Sequence, residues 1–220
     1  MKRSPKEIFL RVVILMVGLT IAHLGVTLFL LSDLGADPFN VLVQGVCRTL
    51  ESITHWGLSH GTVHMIICFL IIIVLLIVDR SYVKLGTLLC MFCGGPIIDF
   101  FTFVLGGFLG SQSPIWLRYI MLAAGCVILA YGMTVVIKSD AGTGPNDLVA
   151  LVISEKAKWK FGIVRICVDA LFVIAGALMG GIFGVGTVIC AFLVGPVADI
   201  FLPKNEKIIN SILFRALKDK

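Results

Sequence analysis

The chain alternates long apolar runs with short polar breaks. Residues 8–31, 85–109 and 115–137 are the longest runs, each beyond the roughly 18 apolar residues that mark a bilayer span. Residues 62–78, 163–179 and 185–202 are shorter, at 17 or 18 residues, which still crosses a hydrocarbon core of roughly 30 Å when little tilted. The pattern predicts an all-α membrane bundle of six spans. Two further helix-like segments, about 38–53 and 145–155, follow polar breaks after the first and fourth spans.

The pattern repeats. A shift of 107 aligns residues 10–38 with 117–145, with 11 of 29 positions identical. The matches include Leu10-Arg11 with Leu117-Arg118, Gly18 with Gly125, Gly25 with Gly132 and Thr27 with Thr134. They end in Ser32-Asp33-x-Gly35-x-x-Pro38 against Ser139-Asp140-x-Gly142-x-x-Pro145. A shift of 100 then aligns 85–101 with 185–201, 8 of 17 identical, pairing Gly86-Thr87, Cys90, Gly95-Pro96 and Asp99 with Gly186-Thr187, Cys190, Gly195-Pro196 and Asp199. Shared oiliness does not place Gly, Pro, Ser, Asp and Thr in the same order, so the two copies reflect duplication. The expected units are residues 1–110, residues 111–203 and a tail over 204–220.

Three spans per copy is an odd number, which inverts the second copy. With the N-terminus cytoplasmic, only Arg48 and Arg118 of the 18 Lys and Arg fall outside, as the positive-inside rule requires. In the rival arrangement, residues 39–53 and 146–155 cross fully, giving eight spans and parallel repeats, with Arg80, Lys84 and Lys138 outward. At roughly 22 and 15 Å of helix these segments are too short to cross comfortably. They are expected to be re-entrant or interfacial half-helices.

Composition agrees: 59% apolar, 14% charged and a mean hydropathy of +1.06 over 220 residues, against about a quarter charged in soluble domains. The first run is too long for a signal peptide and lacks a small-x-small cleavage site. The net charge of +5 is sorted by membrane side and is no nucleic-acid footprint. Seven Cys lie mostly in the spans, where Cys serves as a small packing residue; Cys90-x-x-Cys93 stands alone, without the context of a redox or metal motif. His60 and His64, at i and i+4, are a weak metal pair. No metal or cofactor is expected. Ile208, Ile209, Ile212, Leu213 and Leu217 share one face of the tail, which is expected to lie as an amphipathic helix on the cytoplasmic surface.

Candidate chemistry gathers at the breaks. Asp37-Pro38 and Gly144-Pro145 have the form of helix starts, an N-cap followed by Pro. Asn40 and Asp147 fall at the third helical position, within reach of the cap. Two broken elements in corresponding positions of two halves point to a midplane binding site. The candidate binding residues are Asp33, Asp37, Pro38, Asn40, Gln44, Asp99, Asp140, Pro145, Asn146, Asp147 and Asp199. Gly94, Gly95, Pro96, Gly195 and Pro196 are candidate hinges, where Pro removes a backbone donor and interrupts the third and sixth spans. Asp99 and Asp199 follow one turn later, costly in a membrane unless paired or hydrated. Capping alone also accounts for Asp37, Asn40 and Asp147; Asp33 and Asp140 also suit interfacial turns. Asp169 is expected to pair with Arg165 at i and i+4. His23, opposite Ala130, is expected to pack. Gly18, Gly25, Gly125, Gly132, Gly176 and Gly180 are expected at helix contacts. The halves differ where chemistry would sit: Asp37 stands opposite Gly144, Phe39 opposite Asn146, Asn40 opposite Asp147 and Gln44 opposite Leu151.

Ser-Asp-x-Gly-x-x-Pro after the first span, Gly-Pro-x-x-Asp in the third and the repetition of both resemble the YczE/YyaS/YitT group of bacterial membrane proteins, across most of residues 8–203. The resemblance implies a multipass bacterial cell-membrane protein of largely unassigned function. From the residues themselves, the expectation is a small transporter or permease for an unidentified solute, proton- or cation-coupled, and not an enzyme, since no nucleophile elbow, zinc-protease helix or phosphate loop occurs. The alternative is a non-transporting membrane partner or sensor. Expected partners are membrane lipids and the solute, with a second copy of the chain a candidate and nucleic acid none. Both termini are expected on the cytoplasmic side of the inner membrane.

Overall fold

The computed structural model describes residues 4–35, 37–55, 60–110, 112–181 and 183–218, without the side chains of residues 60, 61, 99 and 218. Among these residues the protein is all-helical, with no strand. The helices are α1 (Pro5–Leu31), α2 (Pro38–Thr54), α3 (His60–Val78), α4 (Leu85–Gly106), α5 (Ile115–Ser139), α6 (Pro145–Ala157), α7 (Phe161–Leu178) and α8 (Val185–Lys218), with a 3₁₀ turn at Arg80–Tyr82. Every apolar run becomes a helix, and α2 and α6 occupy the segments after the breaks. Five helices are long and apolar enough to cross a membrane: α1, α4, α5, α7 and α8. The apolar part of α3, Thr62–Val78, is shorter. Ile77 and Phe103 are 80% and 87% exposed, outward apolar surface that suits lipid rather than water.

Two expectations change. α4 and α8 run unbroken through Pro96 and Pro196, so the Gly-Pro pairs do not interrupt the spans. The tail is helical but continues α8 through Pro203 instead of lying apart. Ile209 and Leu213 are buried with Val135, against Leu10, Ile14 and Tyr131. Buried Asn205 donates to Thr134 Oγ1 at 2.7 Å, and Lys138 pairs with Glu206 at 2.7 Å.

The centre of the fold is the α1–α5 contact. It is antiparallel and nearly backbone to backbone. A Cβ on Gly25 would lie 2.7 Å from Gly125 O, and one on Gly132 would lie 2.7 Å from Gly18 O. Since Gly18 matches Gly125 and Gly25 matches Gly132, these are one contact repeated by a local two-fold. Small residues let helices approach this closely, which is how helices associate in lipid. Around the pair each half reaches into the other. Gly86 N donates to Ala141 O at 2.9 Å, and its counterpart Gly186 N donates to Leu34 O at 2.8 Å. α2 packs on α7 and α6 on α3. At the α2–α7 contact, a Cβ on Gly45 would meet Gly176 O at 2.4 Å. Five of the six expected contact glycines sit at such approaches; Gly180 instead takes φ +85° in the turn after α7.

Candidate functional site

The first break is a built helix start. Asp37 caps α2, accepting from Asn40 N at 3.2 Å, while Asn40 Nδ2 donates to Asp37 Oδ2 at 2.5 Å. Gly144 precedes Pro145 at α6 and lends no side-chain cap. Asp147 does not reach back to that cap. It pairs with Arg165, whose Nε also donates to Asp169 Oδ2 at 2.9 Å. The expected Arg165–Asp169 pair is therefore one arm of a three-residue bridge, with Arg165 and Asp169 both buried. Asp169 Oδ1 has no hydrogen-bond partner among the described residues.

Both breaks face one cavity of about 810 Å³, within the range of small-molecule sites. Asp37, Pro38, Asn40, Gln44, Pro145, Asn146 and Asp147 line it, as do Gly94, Gly95 and Pro96. Asp33, Asp140 and Asp199 lie elsewhere. Asp33 and Asp140 both take left-handed φ, at 51° and 55°, and both face the arginine of the opposite half. Arg118 donates to Ser32 O at 2.6 Å and pairs with Asp33 at 3.2 Å. Arg11 donates to Ser139 O at 3.0 Å and lies 3.7 Å from Asp140, which Lys84 also engages. These are matched ties at the two turns. Asp199 accepts from Gly162 N at 2.9 Å, at the start of α7, and Gly195 and Pro196 are not in the wall. The Asp99 carboxylate and the His60 ring lie outside the described residues.

Several wall residues were not among the candidates. Arg165, His23, His64, Cys68 and Cys90 all line the cavity. His23 Nδ1 lies 2.8 Å from Leu19 O, and its Nε2 faces Gly94, 2.7 Å from where a Cβ would stand. The sequence carried a signal for two of them. Gly61-x-Val63-His64 repeats as Gly162-x-Val164-Arg165 at a shift of 101, which puts His64 and Arg165, and likewise Cys68 and Asp169, at equivalent places. Cys90 and Cys93 belong to no larger ligand set: among the described residues no three His, Cys, Asp or Glu side chains converge as metal ligands.

The cavity is lopsided. α7 and α8 pack along each other, with a Cβ on Gly195 only 2.6 Å from Gly162 O. α3 and α4 barely touch, and a Cβ on Gly95 would meet nothing within 4 Å. Their facing residues, from Thr62 to Cys68 and from Cys90 to Ile98, form much of the wall.

Comparison with known proteins places the chain. A model of a family of unknown function, DUF6198, matches residues 9–203. The chain belongs to that family. It is 30% identical over 211 residues to the uncharacterized membrane protein YczE of Bacillus subtilis (strain 168), covering 96% of this chain and 94% of that one. It is 27% identical over 191 residues to the uncharacterized protein YyaS of the same organism, covering 87% and 92%. An uncharacterized protein of Haemophilus influenzae is 27% identical over 192 residues, covering 86% and 82%. No solved structure matches. These relatives and the apolar helices make this DUF6198 chain a membrane protein. The expected resemblance is supported for YczE and YyaS.

Proposed function

We propose that this chain is a small-solute transporter of the bacterial inner membrane, built from two inverted three-span repeats and working by alternating access, with both termini cytoplasmic. The six spans are α1, α3, α4, α5, α7 and α8, and α2 and α6 are half-helices that begin at the cavity. The observation that carries this reading is the cavity bounded at once by Asp37-Pro38 and by Pro145-Asn146-Asp147. Irregular backbone at membrane depth is tolerated where it lines a watery cavity, and helix starts meeting at a repeat interface are the common form of a transporter site. The unequal closure of α3–α4 and α7–α8 supports the same reading. A two-fold that exchanges the halves converts this arrangement into one with α3–α4 closed and α7–α8 open.

The non-transporting reading requires a dry centre and an outward stripe of small residues. Gly18, Gly25, Gly125 and Gly132 face each other at the α1–α5 contact instead, and the centre holds a cavity with Asp37, Asn40, Asn146 and Asp147 in its wall. The test needs no knowledge of the solute. Single cysteines at Asn40 and Asn146 in a cysteine-free background are exposed to an impermeant thiol reagent, in right-side-out and in inverted vesicles. Transport predicts labelling from both faces. Labelling from neither face supports the partner reading, and labelling from one face only removes alternating access.

A further inference from the structure

We infer that the cavity takes an organic monocation with an apolar body, its charge held by Asp37; this rests on the cavity being the solute site. The charge balance of the wall sets the sign. Asp37 and Asp147 contribute two carboxylates and Arg165 one guanidinium. Arg165 is already shared between Asp147 and Asp169, so among the described residues of the wall no Lys or Arg is left over to hold an anion. The helix starts give no more help to one. A helix N-terminus attracts anions, yet α2 already has the Asp37 carboxylate at its first amides; α6 has no side-chain cap, and Asp147 stands in its first turn, paired with Arg165. Asp37 bonds only to Asn40 and has no ion-pair partner among the described residues.

The rest of the wall sets the shape. Phe39, Met65, Met91, Phe92, Leu129 and Met133 face the same space, with the Phe39 ring fixed edge-on against His64 at 5.2 Å and against Phe172 at 5.5 Å. Aromatic faces attract cations electrostatically, and methionine walls adapt to irregular bodies. A bare divalent ion suits the site poorly. It wants about six oxygen ligands, whereas both oxygens of Asp37 already accept from Asn40. Asp37 stands opposite Gly144 in the repeat, so the charge lies at one end of the site, which suits a ligand charged at one end.

Tetraphenylphosphonium and tetraphenylborate have the same shape and opposite charge, so they separate charge from fit. Binding of each to the full chain is measured in nanodiscs, with empty discs subtracted, for the unaltered protein and for Asp37→Asn. Asparagine keeps an N-cap acceptor, and the cation–anion comparison depends on no variant. The expected result is phosphonium held at least about tenfold more tightly than borate, with that preference falling to near parity in Asp37→Asn. Borate held as well as phosphonium, Asp37→Asn without effect, or neither ion held would each overturn the inference. Preference for borate would leave the cavity a ligand site of the other sign. If neither ion binds and the cysteines at 40 and 146 are sealed from both faces, the transport reading falls with it.

Discussion

The two halves share a scaffold and differ in how α3 meets α4 and α7 meets α8. In the second half Gly162 and Gly195 bring α7 and α8 into backbone contact, and Asp199 fastens the start of α7. In the first half the equivalent Gly95 faces open space and α3 stands away from α4. The sequence equips both halves for closure, since Gly95-Pro96 and Gly61-x-Val63 repeat as Gly195-Pro196 and Gly162-x-Val164. The shared glycines leave both pairs able to close, and the transport reading takes the difference in packing as one of state. On the proposed transport reading, the open α3–α4 gap is one position of a moving part.

A second contrast lies in the polar groups. α7 carries Arg165 and Asp169 where α3 carries His64 and Cys68. The largest predicted effect therefore falls on one half alone. Arg165→Leu strands Asp147 and Asp169 in the interior and is expected to cost roughly 3–5 kcal/mol, whereas His64→Leu costs about 1 kcal/mol. Thermal or denaturant unfolding in micelles measures both; equal losses would break the contrast.

The glycines sharpen it next. Gly195→Ala pushes a methyl against Gly162 O and is expected to destabilise by about 1–3 kcal/mol. Gly95→Ala meets nothing here and is expected to stabilise by up to about 1 kcal/mol, the helix preference of Ala over Gly. Because it obstructs the α3–α4 approach, Gly95→Ala is also expected to slow exchange of cavity labelling between the two faces. A stable variant with reduced exchange separates the moving part from the rest.

The matched arginines should behave alike. Arg118→Ala and Arg11→Ala each free the carbonyls of one turn and are expected to cost about 1–2 kcal/mol, less than a buried charge-assisted bond because both sites are part-exposed. A cost confined to one of them would mean that the two-fold is not energetically real.

The smallest effect is at the corner after α3. The Tyr82 hydroxyl is pushed up to about 12, first by its hydrogen bond to Glu155 and then by burial. Its neutral form is favoured by folding, so its contribution is fully present below the ordinary tyrosine value of about 10 and is lost as pH rises through about 12. Phenolate absorbance, taken as the difference from Tyr82→Phe, is expected to show a late titration that moves earlier in Glu155→Gln.

Much of this fold was legible because a bilayer leaves little choice: apolar runs long enough to span become helices, and Asp37-Pro38 and Gly144-Pro145 start helices for local reasons. The pairings were less legible. Ser-Asp-x-Gly was visible twice as a turn, but that Arg118 and Arg11 reach it from the opposite half depends on α1 and α5 lying antiparallel. Asp33 and Asp140 resembled site carboxylates for that reason, since an acid at a membrane turn looks the same whether it binds a solute or an arginine 85 residues away. Arg165 was assigned to Asp169 correctly, by i and i+4 spacing. Its second bond to Asp147 crosses a loop of unconstrained geometry, and it is that bond that brings the guanidinium to the cavity. Pro96 and Pro196 suggested breaks, yet a helix tolerates a proline when its neighbours cover the freed carbonyl.

Alternating access requires α3 and α4 to close as α7 and α8 now do. Cysteines replacing Thr62 and Gly95 in a cysteine-free background, treated in native membranes with a short bifunctional thiol reagent, test it directly. Closure predicts a cross-link in a fraction of molecules, and cavity cysteines then reachable from one face only. Failure to cross-link under any condition, with both positions singly reactive, would contradict it.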